Sequence, residues 1–177
     1  MTRCLRILAA SLLSVLSLPV WAVTQRGGTA ADYAEIQAFH DRSIEKFNAG
    51  DLEGSLADYL PGLRVLHTKS TTITGRDKMR EIWSKSFATS KPKLISEIEE
   101  MEVNGAGVGA WAYIVCRYAA VSLEKDGKTP KSEISNGRYI ALLSKTAEGW
   151  KVLLDIDNGA AGAAPDLAEK LKKEIGQ

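Results

Sequence analysis

The chain has 177 residues, room for one domain of ordinary size and little for a second. A composition of 45% hydrophobic and 25% charged residues, with 15 Gly and 5 Pro, excludes collagen, a wholly disordered chain and a multi-pass membrane protein. The formal net charge of +1 supplies no whole-chain field toward nucleic acid or acidic lipid, which leaves small molecules and proteins as the expected partners.

Arg3 and Arg6 make a basic start, Ile7 to Val20 is apolar or small, and Val20-Trp21-Ala22 ends the run in the manner a signal peptidase reads. Residues 1–22 therefore read as a secretory signal peptide: the run is too short to span a bilayer, and Pro19 would break its last turn. The expected destination is periplasmic or secreted, with no stable membrane insertion after cleavage. Cleavage also removes Cys4, leaving Cys116 alone in an oxidising compartment with no intrachain disulfide to form. Its apolar surroundings suit a buried, inert thiol.

Val23 to Ala30 is small and polar and reads as a loose arm. Tyr33, Ile36, His40, Ile44 and Phe47 then recur at helical spacing, with charged residues mostly between them. Asn48-Ala49-Gly50 stops this helix, and Asp51 can cap a second one whose stripe is Leu52, Leu56, Tyr59 and Leu60, closed by Pro61-Gly62. Leu63 to Thr68 is a short strand, and Gly75 opens a third helix over Arg76 to Phe87. The remainder reads as sheet: Leu94 to Val103, Val108 to Leu123, Glu133 to Lys145 and Trp150 to Asp157. Asn104-Gly105, Asp126-Gly127 and Glu148-Gly149 supply hairpin turns, hence antiparallel order. Residues 31–158 make the domain. Residues 159–177 begin as a flexible linker (GAAGAAP) and end in a short amphipathic helix with Leu167, Leu171 and Ile175 on one side, which packs on its own domain, frays in solvent, or docks on a partner or a second copy.

This order, with Phe47-Asn48-Ala49-Gly50-Asp51-Leu52 at the first corner, Tyr59-Leu60, the Thr74-Gly75-Arg76-Asp77 turn, Gly137-Arg138-Tyr139 and Gly149-Trp150-Lys151-Val152, resembles the NTF2-like superfamily, and within it the SnoaL-like and DUF4440 families over Glu35 to Asn158. The resemblance implies an α+β, cone-shaped domain in which three N-terminal helices pack on a strongly bent antiparallel sheet. It does not name a reaction, because one fold serves many.

Ketosteroid-isomerase-like members of the superfamily use a carboxylate and a tyrosine that correspond here to Thr68 and Ser43, so both of those catalytic types are absent. His67, beside Thr68, is the nearest titratable substitute, since histidine can change charge near neutral pH. Asp155 in the last strand is the second catalytic candidate. His40, Trp83, Trp111, Tyr113, Arg117 and Arg138 are the candidate pocket residues; Trp111, Tyr113 and Arg117 share one face of their strand, and Asp155 and Asp157 share a face with Leu153, opposite Val152 and Leu154. No metal-ligand spacing, phosphate loop or nucleophile elbow occurs, and no cofactor is expected. Three functions remain open: an exported enzyme acting on a small hydrophobic organic molecule by cofactor-free acid/base chemistry, a noncatalytic binder of such a ligand, and an assembly domain that forms a homodimer through its sheet.

Overall fold

The computed structural model describes residues 23–67, 71–159 and 162–177. The signal-peptide reading and Thr68 lie outside the described residues. The elements in order are β1 (Thr24–Gly27), α1 (Ala30–Ala49), α2 (Leu52–Ala57), β2 (Tyr59–His67), β3 (Ile73–Thr74), α3 (Arg76–Thr89), β4 (Lys91–Asn104), β5 (Trp111–Leu123), β6 (Ser135–Thr146), β7 (Gly149–Asn158) and α4 (Pro165–Glu174).

The helices begin and end where local chemistry directs. The Thr29 side chain accepts from the Asp32 backbone N–H and Asp32 returns a bond to the Thr29 N–H, a reciprocal cap that satisfies otherwise free donors. At the other end Gly50 takes the left-handed conformation (φ 71°), open to it for want of a Cβ, and closes the last turn. One residue later the Asp51 carboxylate accepts from the Gly54 N–H and starts α2.

The sheet corrects two expectations. Its order is β1-β4-β5-β6-β7-β2-β3, with β4 through β7 antiparallel but β1 parallel to β4 and β2 parallel to β7. The sheet is therefore mixed and open, with β1 and β3 at its two edges, rather than a strongly bent antiparallel one. Only α1 and α2 precede its main run of strands, and α3 enters after β2 and β3, so the order is not three helices followed by sheet. The physical reasons are local. All four residues of β1 are exposed, so no apolar alternation marks them as a strand. Pro61 and Gly62, which look like a stop, sit inside β2 where its pairing with β7 is irregular between Tyr59 and Arg64, a place that tolerates residues unfit for a regular ladder.

The inner sheet face and α1 form the main core, in which Ile36, Met101, Ala112, Ile114, Cys116 and Leu143 are buried together. α2, β2, β3 and α3 add Leu56, Leu63, Val65, Ile73 and Met79. α4 packs on its own domain: Leu167 and Leu171 are buried against Ile95, Ala119, Val121 and Leu123. Among the described residues no helix is long and apolar enough to cross a membrane.

Candidate functional site

Between helices α1, α2 and α3 and the inner face of the sheet lies a cavity of about 300 Å³. Phe39, Ile44 and Phe47 of α1 and Met79 and Trp83 of α3 form its helical wall; Ile114, Ala141, Leu143 and Val152 form much of its floor. Small residues at Ala120 and Ala141 leave the floor low, and the edge-on packing of Phe47 and Tyr59 against Trp83 makes one side aromatic.

Polar groups enter this apolar chamber in three clusters. At the rim the β2/β7 register sets His67 opposite Asp157, and His67 Nδ1 lies 3.3 Å from Asp157 Oδ2. The Tyr118 hydroxyl donates to the other oxygen of Asp157 at 2.9 Å. Deeper, Asp58 accepts from Ser43 Oγ (2.7 Å) and Lys46 Nζ (2.8 Å), so its buried carboxylate is paired and bonded. On the α1 side, His40 Nε2 lies 3.0 Å from Ser96 Oγ, which is 3.1 Å from the Tyr139 hydroxyl. Burial lowers the affinity of His40 for a proton and raises the Tyr139 hydroxyl above its usual range, and burial pushes the Cys116 thiol beneath them up to about 12. Cys116 is an inert packing residue.

Asp155 stands apart. It faces the cavity from β7 and, among the described residues, accepts no hydrogen bond. Burial of its carboxyl is the main cause of a pKa pushed up to about 7, with His67 opposing the rise and Asp157 adding to it. A carboxyl with that value holds a proton for part of the population near neutrality and can take or give one.

Of the sequence candidates, His67, Asp155, His40 and Trp83 all line this cavity. Trp111, Tyr113, Arg117 and Arg138 do not; they project from the opposite face of the sheet. There Arg117 bonds Glu97 (2.6 Å) and Asp166 of α4 (2.8 Å), Arg138 bonds Glu99 (2.8 Å), and Tyr113 donates to Glu100 (2.6 Å). The sequence reading missed Tyr118, Tyr139, Asp58 and Asp157 as cavity groups. A signal existed in the small residues that alternate with them: Ala112, Cys116 and Ala120 on β5, Gly137 and Ala141 on β6, the face with room for a hollow. β7 also breaks strict alternation. Its register slips between Val152 and Leu154, so Val152, Asp155 and Asp157 all face inward and Leu153 is left outside.

Among the described residues no group of three or more His, Cys, Asp or Glu side chains could hold a metal ion. A family model described as SnoaL-like domain matches residues 36–153. No curated protein matches the chain. Solved structures do: a ketosteroid isomerase-like protein from Erwinia carotovora atroseptica (TM-score 0.59, 19% identity, 75% of this chain and 99% of that one), an NTF-2 like protein of unknown function from Shewanella oneidensis MR-1 (0.57, 19%, 71% and 97%), and a domain of unknown function with a cystatin-like fold from Nostoc punctiforme (0.58, 17%, 83% and 88%). At these identities the likeness is one of fold.

Proposed function

This chain belongs to the SnoaL-like domain family, and we propose that its cavity binds a small, flat, largely apolar organic molecule and exchanges a proton with it through Asp155. The observation that carries the reading is the Asp155 carboxyl: half-buried at the wall of an apolar chamber, without a hydrogen-bond donor among the described residues, and poised near neutral pH. Folding tolerates such a group at a cost, and a proton-transfer role is the use chemistry offers for it. His67, held by Asp157 at the rim, orients the polar end of the ligand.

The test uses 2-naphthol, whose ring hydrogen at carbon 1 exchanges with deuterium when its hydroxyl proton is removed, a deuteron is delivered to carbon 1, and the proton already on that carbon is then taken by base to restore the aromatic ring. Followed by NMR in heavy water, exchange should run about a hundredfold faster with the protein than in buffer. It should rise with pH through about 7 and fall to the buffer rate in Asp155→Asn. Binding without acceleration would reduce the site to a carrier of small molecules. Absence of binding would overturn the reading altogether.

A second reading is favoured by one observation, the apolar outer face on which Trp111 (45%), Ile140 (43%) and Leu153 (38%) stay exposed. We propose that a second copy of the chain covers it, giving a homodimer with one cavity per subunit. Export follows from Arg3, Arg6 and the apolar run after them; N-terminal sequencing of protein recovered outside the cytoplasm should begin at or near Val23, and an intact membrane-held chain would overturn it.

A further inference from the structure

A file of hydrogen-bonding groups runs from the cavity wall outward on the α1 side. Tyr139 lines the cavity; its hydroxyl meets Ser96 Oγ at 3.1 Å, Ser96 Oγ meets His40 Nε2 at 3.0 Å, and His40 Nδ1 meets Asp41 Oδ1 at 3.3 Å. The last oxygen is also held by Gln37 Nε2 at 2.9 Å. Ser96 is not among the cavity-lining residues; His40 lines the cavity beside Tyr139 and is 4% exposed.

The donors and acceptors in this file can be assigned in sequence. A carboxylate only accepts, so the Asp41 contact requires the proton of a neutral His40 to sit on Nδ1. Nε2 is then a lone pair, and a lone pair 3.0 Å from Ser96 Oγ is favourable only if Ser96 donates to it. With its single proton committed, Ser96 can only accept from Tyr139. The neutral Cys116 thiol also bonds both Tyr139 and Ser96, and the carboxyl of Asp155 acts on Tyr139 through its charge; sulfur is a weak donor and a weak acceptor, so the oxygen and nitrogen partners set the order of the file. Burial keeps His40 in the neutral form on which the order depends.

We propose that Ser96 and His40 are positioning residues that hold the Tyr139 hydroxyl turned away from the cavity, so that Tyr139 offers oxygen lone pairs to the ligand and selects a hydroxyl over a carbonyl. This rests on the ligand-binding reading above and adds the class of ligand to it. An ionised Asp155 faces the same cavity and is likewise an acceptor, so two acceptors meet a ligand in an apolar room where an unmatched polar group is costly. A phenol or alcohol satisfies one of them; the matching ketone satisfies neither.

The experiment pairs 1-tetralol with 1-tetralone, alike in size and differing in this one group, and measures both affinities at pH 8 by calorimetry. The wild-type protein should favour the alcohol by about fivefold, the worth of one neutral hydrogen bond. In Ser96→Ala the Tyr139 hydroxyl is free to turn inward and donate, so the preference should vanish or reverse, whereas Ser96→Thr, which keeps a hydroxyl, should retain it. Independently of any ligand, the ¹⁵N shifts of His40 should report a neutral ring protonated on Nδ1. A ring protonated on Nε2, or an alcohol preference unchanged in a folded Ser96→Ala protein, overturns the proposal while leaving the cavity reading intact. Failure of both compounds to bind the wild-type protein overturns the two together.

Discussion

The two faces of one sheet hold the same kinds of residue and have opposite fates. On the inner face Ala112, Ile114, Ala141 and Leu143 are buried under helices that bridge over a hollow, and the polar groups there converge on one space. On the outer face Trp111, Ile140 and Leu153 stay open to solvent, and the charged groups pair off along the surface as Arg117 with Glu97 and Asp166, Arg138 with Glu99, and Arg26 with Glu100. Surface ion pairs of that kind contribute little to stability. The chemistry is confined to the face that is roofed without being filled.

That contrast can be broken most directly in the packing. Leu143→Ala, on the buried face, and Leu171→Ala, in the helix that covers one end of the outer face, should each lower unfolding free energy by about 2 to 5 kcal/mol in a denaturant titration. A loss under about 0.5 kcal/mol for Leu171→Ala would make α4 a frayed tail rather than part of the domain.

Next in size is Asp155. In the folded protein its carboxyl keeps its proton up to about 7, whereas in the unfolded chain it ionises near 3.8. The folded state therefore binds more protons between those values, and stability falls as pH rises across that window, with the full penalty present above 7. Asp155→Asn removes the penalty. At pH 8 it should be more stable than the wild type by on the order of 2 to 4 kcal/mol, and the difference should close as pH falls below about 4. A variant that is less stable at pH 8 would mean that the carboxylate is held by favourable contacts.

Smaller effects belong to the outer face. Arg117→Gln should cost about 1 kcal/mol, an amount that shrinks as salt is added, because it ties α4 to β4 through half-exposed acids. Ile140→Ser should change the stability of the monomer by no more than about 0.5 kcal/mol. Its effect should appear in sedimentation instead, where the wild type runs as a dimer and the variant as a monomer. A wild type that is monomeric at micromolar concentration would overturn the pairing.

The sequence made the first two helices legible through spacing and caps: Gly50 ends the first and Asp51 begins the second, whereas the Thr29 cap lies in a stretch that reads as a loose arm. Glycines at 105, 127 and 149, all with positive φ, marked the reversals between strands as expected. What strand pattern alone could not assign was which face looks inward. Period-two reading carries from residue to residue only while the ladder is regular, and the register shifts between Ile98 and Glu100 and at Leu153 each reverse it. Thus Arg117 and Trp111 were expected beside Asp155 and lie across the sheet from it, while Tyr118 and Tyr139 occupy the cavity. The helix-borne candidates His40 and Trp83 fared better because helical periodicity is anchored by an unbroken stripe, here Ile36, His40, Ile44 and Phe47.

The parallel pairing of β2 with β7 has a kinetic meaning. His67 meets Asp157 at a sequence separation of 90, and no nearer strand can substitute, since β7 has β6 on its other side. Closing so long a loop gives nothing back until the strands register. During synthesis the rim of the cavity cannot exist before the last strand has been made, and in refolding it should be among the last features to appear. The carboxyl of Asp155 thus stays hydrated through most of folding and loses its water only at the end, so raising the pH should slow the final step of folding more than the first.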